Sequence, residues 1–158
     1  MQTKLRFTKV RKVKTPAYGT IGSAGIDFFV PNDFTACSLS MHQDVLIPSG
    51  IKARVPDGYA LIAYNKSGIS TKKKLAVGAC VVDSDYQGEI HLHVYNFGND
   101  WAEITPGMKL VQFILVPVPS VELIECSRLD EVFPIESKRG AGGFGSTDNK
   151  SDALEATR

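Results

Sequence analysis

The chain has 158 residues with a formal net charge of +1, and 43% of them are hydrophobic and 22% charged. This length fits one domain with a core of ordinary size, and the composition is that of a soluble globular protein whose balanced charge gives no overall electrostatic address. No apolar run approaches a membrane span, the N-terminus carries charges where a signal peptide needs an apolar core, and Cys37, Cys80 and Cys126 lack CxxC spacing, so neither a membrane partner, export nor a disulfide framework is expected.

Residues 4–14 alternate basic and apolar side chains, with Leu5, Phe7, Val10 and Val13 against Lys4, Arg6, Lys9, Arg11, Lys12 and Lys14. That near-alternation predicts a half-buried strand, a charged edge that resists further pairing. No aromatic platform interleaves the charges, so a nucleic-acid contact is not expected. Residues 15–33 are rich in Gly and Pro around GSAGIDFFV, which turns tightly before Asp27 and then enters a strand. Asp27 reads either as a strand-entry cap or as a carboxylate of a metal shell.

Strand signals then recur at residues 44–47, 51–55, 59–64, 75–82, 90–97, 110–117 and 121–126, separated by SG, DG, KSG, GND and TPG. No long 3.6-residue period is present beyond a short helical turn at residues 129–132. The fold class expected is all-β, a sandwich, jelly roll or barrel. The segment 138–158 has little to bury and is expected to be mobile without a ligand.

Residues 80–89, CVVDSDYQGE, run from an apolar strand into a turn with Asp83, Asp85, Tyr86 and Gly88, and a second strand follows. A hairpin with a carboxylate and a ring at its tip suits a small-molecule pocket, and a solvated Asp-rich turn fits the same residues. Residues 65–70, NKSGIS, form a loop that offers a Lys, hydroxyls and backbone N–H groups to a phosphate, although Lys-Ser-Gly turns are common. Residues 139–147, RGAGGFGST, match neither a Walker loop nor a dinucleotide fingerprint, yet a plain linker has no need of Arg139 and Phe144. His91 and His93 share a strand face with no evident third zinc ligand, so satisfied or solvent-facing rings are expected.

Joined in order, GSAGIDFF at 22–29, NKSGIS at 65–70, VVDSDYQGE at 81–89, KLVQ at 109–112 and RGAGGFGST at 139–147 resemble the five motifs of the homotrimeric all-β dUTPase family, deoxyuridine triphosphate nucleotidohydrolases. The resemblance covers residues 15–147. Five positions depart from the family pattern. Asn65 and Lys66 stand where it has Pro and Arg, Lys109 where it has Arg, Cys80 where it has Gly, and Asp148 where it has the last Gly of the tail.

The resemblance implies a distorted jelly-roll or barrel subunit over residues 1–137 and a mobile glycine-rich arm over 138–158. It implies hydrolysis of dUTP to dUMP and pyrophosphate, which keeps uracil out of DNA and supplies dUMP for dTMP synthesis. Asp83 would orient and deprotonate the attacking water. Lys66, Ser67, Gly68 and Arg139 would bind phosphates, while Mg²⁺, the implied cofactor, would sit mainly on substrate phosphates with Asp27 and Gln112 in its outer shell. Backbone groups from Gly78 to Val81 would read uracil, Tyr86 would exclude a 2′-hydroxyl, and Phe144, with Gly145 and Ser146, would close over the base. Each site would combine three subunits, in the cytoplasm or, for a viral chain, the host-cell interior. A dCTP deaminase of the same fold needs a Glu where His93 stands and is disfavoured, and a non-catalytic nucleotide-binding trimer is disfavoured by the presence of Asp83 and the tail.

Overall fold

A computed structural model describes residues 3–144. In chain order the strands are β1 (Arg6–Lys9), β2 (Ala17–Tyr18), β3 (Ile26–Phe29), β4 (Cys37–Leu39), β5 (Asp44–Pro48), β6 (Ile51–Arg54), β7 (Tyr59–Tyr64), β8 (Leu75–Val77), β9 (Val81–Val82), β10 (His91–Asn96), β11 (Ala102–Ile104) and β12 (Lys109–Pro117). Two short helices, α1 (Ser67–Lys73) and α2 (Leu129–Val132), complete the described elements. The chain divides into two compact units, Met1–Ser120, with every described strand, and Val121–Arg158, with α2. The all-β expectation therefore holds. Among the described residues no helix is long and apolar enough to cross a membrane.

The first unit is built on a five-stranded sheet in the order β2-β3-β12-β7-β9 and a three-stranded sheet β5-β10-β8, with β1-β6 and β11-β4 as separate two-stranded ribbons. The described pairs are antiparallel. Strand β10 shows the sequence rule at work: Leu92, Val94 and Asn96 are buried while His91 and Tyr95 on the other face are exposed. The one polar member of that inward row, Asn96, is satisfied by donating to the carbonyls of Leu39 and Asp100 and accepting from Gly98 N–H. Phe28 and Phe113 meet with ring centroids 4.5 Å apart at the centre of the large sheet, within a core that includes Ile47, Leu61, Leu92 and Ile104.

Four sequence expectations are corrected. Residues 65–70 are not a loop throughout, because α1 begins at Ser67. At seven residues it is too short to show a period, and Ile69 alone in its first half packs against the core. Residues 75–82 are not one strand: β8 pairs with β10, whereas β9 pairs with β7, so the chain changes sheets at residues 78–80. Residues 121–126 form no strand, since Val121, Leu123 and Ile124 lie exposed without a ladder partner in the described chain. Strand β1 is exposed at every residue rather than half-buried; of the alternating apolar side chains in residues 4–14 only Val13 is fully in the core.

Candidate active site

Three neighbouring strands of the large sheet bring three of the motifs together. Asp27 of β3 stands opposite Gln112 of β12, and Gln112 in turn stands opposite Tyr64 at the end of β7. The chain leaving β7 therefore enters this place directly with Asn65 and Lys66. Lys66 Nζ donates to Asp27 Oδ1, and Lys109 Nζ, at the start of β12, lies 3.1 Å from Oδ2. Asp27 is only 4% exposed. Burial pushes its carboxyl up, but the hydrogen bonds and charges of Lys66 and Lys109 outweigh that and hold it below its ordinary value.

Gln112 Nε2 donates to the carbonyl of Asn65 at 2.8 Å, which leaves the amide oxygen as an acceptor. Glycine at position 25 makes room for that amide, because a Cβ there would fall 2.4 Å from Gln112 Oε1. Asn65 is a link that motif reading missed. Its side-chain oxygen accepts Val77 N–H at 2.7 Å, tying the Asp27 cluster to the strand that leads into Gly78. Ser67 and Gly68 are exposed at the start of α1, where the first N–H groups of a helix have no intrahelical acceptor.

The segment 78–89 is held at both ends. Gly78 N–H donates to the carbonyl of His93 at 3.0 Å and Ala79 N–H to His93 Nδ1 at 2.8 Å, while His93 Nε2 meets Asp44 Oδ2 at 3.0 Å. At the other end Glu89 accepts from Arg11 Nε at 2.8 Å and from Gly50 N–H at 2.7 Å. Burial raises the Glu89 carboxyl, but the Arg11 hydrogen bond, Gly50 N–H and the Arg11 charge bring it below its ordinary value. Glu89 ends the motif VVDSDYQGE, but Arg11 is 78 positions away in sequence, a distance no spacing rule reaches.

Between these anchors Val81 and Asp83 are exposed. Tyr86 N–H closes a turn onto the carbonyl of Asp83 at 3.3 Å, and the Tyr86 hydroxyl donates to the carbonyl of Glu89 at 2.9 Å. The ring covers Gly88 so closely that a Cβ there would lie 2.3 Å from Oη. His91 Nδ1 sits 2.9 Å from the carbonyl of Glu89. With both histidines engaged, and no three His, Cys, Asp or Glu groups placed to hold a metal among the described residues, nothing supports the zinc alternative. The Asp27 ion pairs share no residue with the hydrogen bonds of 78–89; the two halves are linked through Asn65, which meets both Gln112 and Val77, and through Ala63 N–H, which donates to the Cys80 carbonyl at 2.7 Å.

An open groove of about 590 Å³ lies between the tip of the 78–89 segment and the β1-β6 ribbon, lined by Arg6, Lys52, Arg54, Asp85, Tyr86 and Gln87 among others. It contains neither Asp83 nor any member of the Asp27 cluster. In the second unit Arg139 is exposed, with Nε donating to the carbonyl of Gly142 at 2.7 Å, and Phe144 is fully exposed. Gly145 and Ser146 lie outside the described residues.

Residues 11–148 match the family model for dUTPase. Curated relatives include the deoxyuridine 5'-triphosphate nucleotidohydrolases of Polynucleobacter necessarius, 38% identical over 93% of this chain and 96% of the relative, and of Finegoldia magna, 38% identical over 84% and 90%. The fold is shared with the dUTPase of Staphylococcus bacteriophage 80alpha solved with dUpNHpp, at a TM-score of 0.79 and 20% identity over 92% of this chain and 98% of the other. It is also shared with a variant dUTPase of phage phi11 of S. aureus, described with a structural Mg(II) ion, at a TM-score of 0.70 and 19% identity over 81% and 99%.

Proposed function

The chain belongs to the dUTPase family, and from that membership we propose that it is a dUTP diphosphatase that attacks the α-phosphorus with an Asp83-activated water, releasing dUMP and pyrophosphate. The observation that carries this reading is the meeting of Asp27, Lys66, Lys109 and Gln112 at one end of β3, β7 and β12. Family-type motifs far apart in sequence converge there into a cationic place built on a buried carboxylate.

Each role follows from the chemistry of the side chain. An ammonium has three donors, so Lys66 can hold Asp27 and still donate to a phosphate oxygen. Ser67 and Gly68 add N–H groups at the start of α1, and Arg139 adds a planar fork from the arm; together they stabilise charge moving onto the leaving pyrophosphate. Asp83 is exposed to water on a turn pinned by Tyr86 and Glu89, so positioning carries much of its effect as a base. Backbone groups from Gly78 to Val81 read the uracil edge, Tyr86 lies against the deoxyribose, and Phe144, Gly145 and Ser146 close over the base to exclude water.

Mg²⁺ fits this chain as an ion held by the substrate. Asp27 retains lone pairs beyond those its lysines use, and the Gln112 amide oxygen is free to accept, which suits two groups that hold an outer shell through water. Bound there, the ion supplies positive charge along the triphosphate.

We assign the working form as a homotrimer with shared sites, each arm, residues 138–158, serving another subunit, in the cytoplasm or a host-cell interior. Ile114 and Val116 are half-exposed although β12 is flanked on both sides in its sheet, and Leu123, Ile124 and Ile135 are exposed in the second unit. Apolar surface of this kind calls for a covering partner. The test is pyrophosphate release from dUTP, dCTP, dTTP and UTP side by side, with and without Mg²⁺. Release from dUTP alone, dependent on Mg²⁺, is the expected result; equal turnover of all four, or of dCTP in preference, contradicts the assignment.

A further inference from the structure

Within the dUTPase reading, and resting on it, we propose that His93 is the positioning residue that aims the base-reading segment. Where the chain leaves the three-stranded sheet after β8 and crosses to pair as β9 with β7, β7 takes hold at the Cys80 carbonyl, which accepts Ala63 N–H at 2.7 Å, and the start of the crossing at Gly78 and Ala79 lies outside both strands. His93 holds that start twice. Its carbonyl accepts Gly78 N–H at 3.0 Å and its ring Nδ1 accepts Ala79 N–H at 2.8 Å.

The second bond fixes the state of the ring. Nδ1 accepts from an amide that is only a donor, so it bears a lone pair, and the ring proton is on Nε2, which donates to Asp44 Oδ2 at 3.0 Å. Asp44 belongs to β5, the strand on the other side of β10. The imidazole is thus a strut from β5 to the crossing segment, with its tautomer chosen by the two bonds.

Gly78 shows how closely the strut bears on that segment. A Cβ at this position would lie 2.2 Å from His93 Nδ1 and 2.4 Å from Cε1. The need for glycine here therefore comes from the ring beneath it and not from a left-handed backbone, since Gly78 is not among the positive-φ residues. The backbone at Gly78 and Ala79 stands where His93 puts it, before β7 takes over at Cys80 and Val81, and Ala79 N–H is consumed by the ring and withheld from the base.

The experiment compares kcat and KM for dUTP, and the dUTP to dTTP preference, in the full-length wild type and in variants at positions 93 and 78. His93→Ala should raise KM about 10-fold with kcat within about 2-fold, and should reduce the preference for dUTP. In His93→Asn the Oδ1 falls where Nδ1 was, so KM should return to within about 3-fold of wild type; His93→Gln, whose amide reaches toward Asp44, should not restore it. Gly78→Ala should be strongly impaired alone and partly recovered when combined with His93→Ala, the coupling expected of a direct clash. Should His93→Ala fail to fold, the Asn and Gln variants carry the same comparison. Wild-type KM and preference in His93→Ala and in His93→Gln, or no recovery in the double variant, would overturn the role of His93 while leaving the enzyme a dUTPase. A wild-type protein that leaves dUTP untouched would overturn both.

Discussion

Lys109 Nζ lies 3.1 Å from Oδ2 of Asp27, joining a half-exposed ammonium to a carboxylate that is almost wholly buried. Lys66 holds the other oxygen. A carboxyl held below its ordinary value stabilises the fold fully above its unfolded pKa of ~3.9 and loses that contribution as pH falls through the lower folded value. Asp27→Asn should therefore cost about 1–3 kcal/mol at pH 7 by urea unfolding, a figure moderated by the exposure of Lys109. The gap should narrow progressively below about pH 4. A gap unchanged down to pH 2 would mean that shape, not charge, holds the cluster.

Asp83→Asn keeps the size of the side chain and most of its hydrogen-bonding capacity but removes proton acceptance. Turnover of dUTP should fall by about 10²- to 10⁴-fold while binding of a non-hydrolysable analogue is largely kept. Calorimetric titration beside initial rates separates the two effects. Near-normal turnover would remove Asp83 from its role.

Tyr86 and Gly88 should behave as one unit in sugar selection. Tyr86→Ala opens the space at the 2′ position and should raise the relative use of UTP roughly 10-fold. Gly88→Ala should shift the same ratio in the same direction, because its new methyl displaces the ring from 2.3 Å. Tyr86→Phe loses only the hydrogen bond to the Glu89 carbonyl and should keep most of the preference. Unchanged dUTP to UTP ratios in the first two variants would assign sugar reading elsewhere.

Much of this was legible in the chain itself. Short apolar runs bounded by turn residues located β5, β7, β10 and β12 to within a residue or two; β10 alternates cleanly between a buried and a more open face, whereas β7 and β12 also bury adjacent residues such as Leu110 and Val111. The motifs singled out Asp27, Lys66 and Gln112, which the fold brings together, and Asp83 and Tyr86, which share one turn. What escaped was long-range pairing. Arg11 with Glu89, His93 with Ala79, and Asn65 with Val77 are decided by which strands become neighbours, and the switch of residues 78–80 between sheets is invisible in an apolar run that reads as one strand. Residues 121–126 failed for a related reason: Val121, Leu123 and Ile124 have strand propensity, but a strand needs a partner that the described chain does not offer.

The arm and the assembly are tested together. The full chain should scatter light as a trimer at micromolar concentration, and truncation after Lys138 should preserve the trimer and its melting temperature while lowering turnover at least about 10²-fold. Co-refolding the truncated chain with Asp83→Asn should restore activity that neither has alone, since some mixed sites then take Asp83 from one subunit and the arm from another. No recovery on mixing, or a fully active monomer, would contradict shared sites.

The most direct measurement is hydrolysis of dUTP in water enriched in oxygen-18, with the products weighed by mass spectrometry. Attack of an Asp83-activated water on the α-phosphorus predicts one labelled oxygen in dUMP and none in pyrophosphate. Label in pyrophosphate or free phosphate, or dUTP recovered unchanged, would contradict the account.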